Sequence, residues 1–523
     1  MMGQAKGADP SKSWLALAAS AAGVFAVAYN TTAVMTALPA MKAGLDLDAD
    51  TVQWTINIYM LFAAATLAAM GHFGDTFGMT RIFIVGLVIF GLGSVTMILA
   101  DGAISALVGR ALQGTGVSAL MATSVALINL SVPPDKRASA LGLWAATIAV
   151  GFALGPLIGG GLTDAVGWRS IFALDIVSII AASLLIVWVI RAKLIPGSSE
   201  AGLPTDFFGI GLLFISLSAF LYGLTCGPLY GWTALLTLSM FTLAVIAAAG
   251  FAYRELHTKD PLIRFGFFRY RNYAAATVGM FLSGITQIGI LFFINFFLQA
   301  PQGLNFSAAE AGLGLLPFTS AMFVVSLSAP RLIHPGHYKW PLALGMASLA
   351  IGFWLMLGVD HTTPYEDIWW KLSLIGIGVG MNMSMLPRIG LAALPDANAG
   401  QGSGVLNTCM YAGLAVGTAL GGVVSFRLKR DVIDPVLETV AANVPDLGAL
   451  KIALVHGSKS QIEQAMTKIP ASGAEALEKA SLSAFDHSFS GVMTLMMITA
   501  LISVVFCVIA IEPPKTEPQA KHA

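Results

Sequence analysis

An all-α protein that crosses a membrane fourteen times is what this sequence predicts, on three observations. Of 523 residues, 56% are hydrophobic and only 11% charged, whereas soluble domains carry about a quarter charged residues. Such a chain must use lipid as its solvent. The apolar residues also fall in runs near the ~20 residues that a helix needs to cross a bilayer. Lastly, Lys and Arg collect in alternate connecting segments, as they do around membrane helices.

Taken in order, the runs occupy about 14–36, 52–71, 82–100, 104–129, 140–163, 170–192, 208–226, 233–253, 273–299, 310–330, 341–359, 368–394, 401–426 and 488–511. The first follows thirteen mostly polar residues, is long enough to cross, and lacks a convincing small-residue cleavage site, so it reads as a retained span rather than a signal peptide. With both termini cytoplasmic, the inside segments hold Lys6, Lys12, Arg81, Lys136, Arg137, Arg191, Lys193, Arg254, Lys259, Arg264, Arg269, Arg271, Arg331, Lys339, Lys515 and Lys521, against Lys42 and Arg169 in the short outside loops. That asymmetry suits an even number of spans. The long loop 427–487 does not count against it, because long loops translocate largely regardless of charge. Net charge is zero and no basic stripe exists, so nothing suggests nucleic acid. Cys226, Cys409 and Cys507 sit in separate spans and suggest neither a disulfide framework nor a metal site.

Two loop-like stretches partition the chain. Residues 193–207 are rich in Pro, Gly and Ser, and 254–272 form the most charged inside loop. The division that follows is a six-helix bundle at 14–192, an inserted helix pair at 208–253, and a second six-helix bundle at 273–511. Asp206 is expected to cap the seventh span. Amphipathic spacing in 427–487 predicts an external helical hairpin.

Polar and conformationally permissive residues inside the spans carry the functional signal. Gly151-Phe152-Ala153-Leu154-Gly155-Pro156-Leu157-Ile158-Gly159-Gly160 puts a proline in an apolar helix, which removes a hydrogen bond, beside glycines that leave a bare groove for a neighbour. Arg110, in Arg110-Ala111-Leu112-Gln113-Gly114-Thr115-Gly116, is expensive in lipid unless it is paired or faces a polar cavity. Gly71-His72-Phe73-Gly74-Asp75-Thr76-Phe77-Gly78-Met79-Thr80-Arg81 reads as a tight loop with one acid and one base, either a solvated turn or a latch between two conformations. Asn30, Trp54, Asn57, Tyr59, Gln287, Asn295, Asn382, Met383, Asn407 and Tyr411 are candidates to line a cavity, since amides inside helices mark interhelical bonds or a water-filled path. Lys371, near a span end, is expected to snorkel. Arg388 has two open readings, a structural one and contact with an anionic substrate or Asp75.

These stretches resemble the major facilitator superfamily, and within it the fourteen-span drug:proton antiporter branch. The proline run is similar to the G-x-x-x-G-P-x-x-G-G signature of the fifth antiporter helix, and the Arg110 helix to R-x-x-Q-G-x-G. Gly71, Asp75, Gly78 and Arg81 match the G-x-L-x-D-R-x-G-R-R/K gate loop, with Thr76 and Met79 where the family has bases. Tyr29 through Pro39 resembles D-x-T-x-V-N-x-A-L-P, Gln53-Trp54 with Tyr59 resembles the second helix, and Trp168 through Asp175 resembles W-R-W-I-F-x-I-N. With Gly402-Ser403-Gly404-Val405-Leu406-Asn407, the likeness runs from about residue 14 to 511.

The resemblance implies a major facilitator fold of two pseudo-symmetric six-helix bundles around a midplane cavity. It implies a secondary transporter in the cell inner membrane, not an enzyme and without a cofactor, that exports amphipathic, toxic small molecules in exchange for protons. A periplasmic adaptor with an outer-membrane channel is the partner set such exporters admit. Proton coupling would fall to Asp175 and Arg110, because Asn30 stands where the branch has a membrane-embedded aspartate and Asp175 where it has asparagine. Either the titratable group has moved from the first helix to the sixth, where burial in an apolar helix can tune it for proton exchange, or Asp175 reaches the outer surface or bonds a neighbour. No G-x-x-x-x-G-K-S/T loop occurs, so ATP is not the energy source within this chain. Two alternatives stay open: export of organic anions or one particular metabolite, and a membrane sensor that keeps the fold but moves nothing.

Overall fold

The computed structural model describes residues 10–191, 206–258, 261–333, 337–395, 399–440 and 471–512. These residues are helical almost throughout, with no strand among them, as apolar solvent demands: only a helix satisfies its own backbone in lipid. In chain order the helices are α1 (Pro10–Gly44), α2 (Ala49–Phe77), α3 (Met79–Ile98), α4 (Ala103–Ser131), α5 (Pro134–Val166), α6 (Arg169–Arg191), α7 (Phe207–Tyr230), α8 (Leu235–His257), α9 (Arg271–Gln299), α10 (Ala308–Gly314 and Leu316–Leu332), α11 (Lys339–Met356), α12 (Trp369–Ala392), α13 (Ala399–Val440) and α14 (Ala471–Ala510). Thirteen are long and apolar enough to cross a membrane, and the two pieces of α10 together make a fourteenth.

Several limits differ from those that hydropathy sets, because a helix does not stop where lipid does. The segment 71–81 is no loop. α2 runs on to Phe77, and the whole connection to α3 is Gly78, at φ 99°, a backbone setting that favours glycine. Of the expected hairpin at 427–487, the two ends are helical as continuations of α13 to Val440 and of α14 from Ala471, while 441–470 lie outside the described residues. α10 bends by 42° at Leu315, where Pro317, early in the second piece, has no N–H to continue the ladder. In α9, Gly289–Ile294 form a π-helical turn.

Asp206 caps α7 as expected, its Oδ1 accepting from Gly209 N at 2.9 Å. It is more than a cap, since Arg254 of α8 also donates to it at 3.0 and 3.2 Å. Partial burial opposes its charge, but these hydrogen bonds outweigh burial and hold the carboxyl below its ordinary range. Most of the loop before it, 192–205, lies outside the described residues.

Helices α1 to α6 pack on one another, and α9 to α14 do likewise. The two sets meet along α2 with α13 and along α5 with α10. α7 and α8 pair together, with α7 lying over both α2 and α13. Aromatic contacts fasten it to α2: Phe62 meets Phe214 edge-on at 4.8 Å, Phe73 meets Phe207 at 5.8 Å, and Trp54 meets Tyr222 at 6.1 Å.

Candidate functional site

Four helices of the first set each bring a polar side chain to one buried point. The carboxyl of Asp175 on α6 is fully buried. Its Oδ2 accepts from Asn30 Nδ2 of α1 at 2.7 Å, from Ser94 Oγ of α3 at 3.2 Å and from Gln113 Nε2 of α4 at 3.3 Å. Arg110, one turn before Gln113, is also fully buried. Its Nη1 donates to Asn30 Oδ1 at 2.9 Å and to Gln113 Oε1 at 2.8 Å. Two amides therefore stand side by side between the cation and the anion, each turning oxygen to the guanidinium and nitrogen to the carboxylate. The two amides thereby bridge a buried acid and a buried base, satisfying one oxygen of the acid and one terminal nitrogen of the base.

The remaining faces of Arg110 belong to α2. Its Nε donates to Thr55 O at 3.1 Å, and its guanidinium lies 4.1 Å over the ring of Tyr59, whose hydroxyl shares a hydrogen bond with Thr31 Oγ1 at 2.8 Å. Asp175 Oδ1, Arg110 Nη2 and the hydroxyl of Tyr29 have no hydrogen-bond partner. Arg110 and Asp175 stand seven and six residues from the starts of α4 and α6, at Ala103 and Arg169, hence roughly 10 Å deep at about 1.5 Å per residue.

Asp175 does not reach the outer surface: its side chain is fully buried and bonds neighbours on three helices, which suits both a proton site and a residue that bonds its neighbours. Gln113 is not among the expected site residues; its place three residues after Arg110 on one helical face brings it to the cluster. Ser94, a small polar residue in an apolar run, gave no signal, because only tertiary packing aims it at Asp175.

A second set of close contacts surrounds the proline run of α5. Pro156 cannot donate to Phe152 O, and the Thr32 hydroxyl of α1 supplies a long bond of 3.4 Å to that carbonyl. A Cβ on Gly155 would lie 1.9 Å from Thr32 Oγ1 and 2.9 Å from Tyr29 O, and one on Gly151 or Gly159 would lie 2.8 Å from Ala28 or 2.6 Å from Ala33 of the same helix. Gly160 faces the other way, against the Ala308 backbone of α10, and Gly312 of α10 packs on Pro156 O. The run is thus a double seam, one face to α1 and one to the second helix set. Beside it, Asp164 Oδ2 accepts from Ala309 N at 2.8 Å, and Asn295 of α9 donates to Met35 O of α1.

The other expected residues divide. Asn57 is fully buried with neither amide atom bonded, and Asn382 Oδ1 and Gln287 Oε1 also lack partners. Gln287 Nε2 reaches Met383 Sδ at 3.8 Å, and Tyr411 of α13 is buried. Three are engaged elsewhere: Trp54 packs on α7, Asn407 bonds Ser403 O at 3.0 Å within its own helix, and Asn295 joins α9 to α1. Arg388 Nη1 donates to Pro330 O at 2.5 Å, a bond that suits its structural reading. Lys371 is the third residue of α12, in keeping with snorkelling. In the gate segment, Arg81 is exposed, while the side chain of Asp75 lies outside the described residues.

Comparison with known proteins agrees with this architecture. The chain is 31% identical to the tetracenomycin C resistance and export protein of Streptomyces glaucescens, covering 97% of this chain and 93% of that one. It is 27% identical to the multidrug efflux pump LfrA of Mycolicibacterium smegmatis, covering 95% and 96%. Among solved structures, a bacterial homologue of the human lysosomal transporter Spinster, inward-facing and unoccupied, superposes with a TM-score of 0.60 at 16% identity over 96% of this chain and 98% of that one. The peptide transporter POT in complex with sulfate gives 0.59 at 15% identity, over 96% and 95%. The family model of the Major Facilitator Superfamily matches residues 20–418, and the chain belongs to that superfamily.

Proposed function

We propose that this multi-pass membrane protein is a secondary active exporter of amphipathic small molecules, driven by protons that exchange at Asp175. The observation that carries the reading is the Asp175 site itself. One carboxylate oxygen accepts three hydrogen bonds, which suits the charged form, and the other has no partner, which leaves it a place for a proton. Asn30 cannot titrate, so the change of charge in this cluster belongs to Asp175. That the relatives are resistance, export and efflux proteins for antibiotics and drugs supports export as the direction.

The Lys and Arg bias supports an inner-membrane protein with cytoplasmic termini. On that orientation the α5–α10 seam and the Asp175 cluster lie toward the outer face, and Gly71, Asp75, Gly78 and Arg81 toward the cytoplasm, where the single-residue hinge at Gly78 suits a gate. The working division remains 14–192 and 273–511 as the moving bundles with 208–253 inserted between them. Substrate would sit where Asn57, Gln287 and Asn382 hold unbonded amide atoms between the bundles.

Proteoliposomes carrying a trapped pH dye test the proposal with a panel of cationic and anionic amphiphiles, ethidium among them. The expected result is substrate-driven proton flux that Asp175→Asn abolishes while substrate binding persists. Substrate crossing with no proton flux in either protein would refute proton coupling.

A further inference from the structure

We infer that Tyr59 is the residue that transmits the charge state of Asp175 to the seam between the two bundles, through the face of its ring. The inference rests on the reading of Asp175 as the proton site. Asp175 is on α6, whereas among the described residues the two helix sets meet chiefly along α2 with α13 and α5 with α10. A proton arriving there moves the other bundle only if some other element carries the change across.

Arg110 is the group that feels it. Protonation removes the negative charge that the Asn30 and Gln113 amides relay to its Nη1. The guanidinium then keeps two partners that are indifferent to that proton, Thr55 O and the Tyr59 ring, one helical turn apart on α2. A buried cation stripped of its counter-charge leans more heavily on the aromatic face. The load therefore shifts to α2.

α2 is the element that can pass it on. It runs against α13 over most of its length, with Gln53 Nε2 donating to Thr418 O at 2.6 Å at one end and Leu67 3.9 Å from the Cβ position of Gly404 at the other. Between these points on the two packed helices stand Tyr59 of α2 and Tyr411 of α13, both buried. The Tyr59 hydroxyl is held by Thr31 of α1, so the ring face, and not the hydroxyl, is turned to the cation. Tyr59 is in this sense a positioning residue: it holds no proton, and it ties the helix that moves to the charge that changes.

Replacing Tyr59 by Phe and by a series of fluorinated phenylalanines separates face from hydroxyl and from shape, since fluorine drains the ring's negative face with little change in volume. The readout is the number of protons moved per ethidium transported in proteoliposomes, with ethidium binding and a monodisperse elution profile as checks on folding. Tyr59→Phe is expected to keep the ratio within about twofold. Each added fluorine should lower it stepwise, and Tyr59→Leu should lower it at least about fivefold while ethidium still moves down its gradient. A ratio that stays flat across the fluorinated series, or a Tyr59→Phe protein as uncoupled as Tyr59→Leu, would overturn the inference. Should Tyr59→Leu fail to fold, the series decides alone. Asp175→Asn is run in parallel: proton flux persisting there refutes the proton-site reading and the inference with it, whereas a flat series beside an inactive Asp175→Asn refutes only the role of Tyr59.

Discussion

Asn30 and Asp175 are 2.7 Å apart, amide nitrogen to carboxylate oxygen, and each occupies the position where the resembling branch carries the other residue type. The hydrogen bond between them needs one donor and one acceptor but is indifferent to which helix supplies which. The double exchange Asn30→Asp with Asp175→Asn should therefore preserve the pair, turn it around, and keep substrate-driven proton flux within about threefold of the unmodified protein. The single change Asn30→Asp is a different matter. It sets two carboxyls at hydrogen-bond distance in a buried site, where both cannot ionise and the pair must share a proton. That protein should move protons with a pH profile belonging to the pair rather than to one acid. If the double exchange is as inactive as Asp175→Asn alone, the site depends on Ser94 and Gln113, which only Asp175 reaches, and the two positions are not interchangeable. The residue types at this cluster were visible in the sequence as departures from a pattern. What could not be read was that Arg110 meets Asp175 through two parallel amides, because that depends on the relative rotation of four helices.

In α5, Gly155 and Gly161 lie six residues apart in one helix and answer to opposite constraints. A Cβ at 155 meets Thr32 Oγ1 at 1.9 Å and backbone oxygen at 2.9 Å, whereas at 161 nothing stands within 4 Å. Gly155→Leu should thus wedge α1 away from α5, with overpacking of this kind costing about 1–3 kcal/mol or more, while Gly161→Leu should leave the melting temperature of the detergent-solubilised protein nearly unchanged. Equal destabilisation of both would mean that backbone entropy, and not the seam, is what these glycines serve. At this scale the sequence was informative where chemistry is local. Fourteen apolar runs, the cap at Asp206 and the permissive run 151–160 follow from composition, side-chain reach and backbone freedom. It was uninformative where packing decides. Nothing in 71–81 says that the helix continues to Phe77 before a one-residue turn, since Gly71, Gly74 and Gly78 read equally well as a loop. The π turn at Gly289–Ile294 likewise has no compositional mark.

Three contacts join the helix sets near the ends of α1 and α5: Asp164 with Ala309 N, Asn295 with Met35 O, and the backbone approach of Gly160 to Ala308. They close one face of the molecule, and an exporter that alternates its access must break them in every cycle. Their strength consequently sets how much of the population is closed at that face. Asp164 is exposed, so its hydrogen bond is screened by solvent, yet it meets the N-terminus of a helix, where a carboxylate is stabilised by the unpaired amides and the dipole. Asp164→Ala removes both effects without touching the glycine seam, and should raise the population opened at this face by about threefold to tenfold. Spin labels placed on α5 and α10 near 166 and 307, with distances measured in lipid nanodiscs, would report the shift as growth of a longer-distance peak. Asp164→Asn, which keeps an acceptor but not the charge, should fall between the two. Identical distance distributions in all three proteins would mean that the backbone packing of Gly160 and Gly312 alone holds this face shut, and that Asp164 follows the conformational change without biasing it.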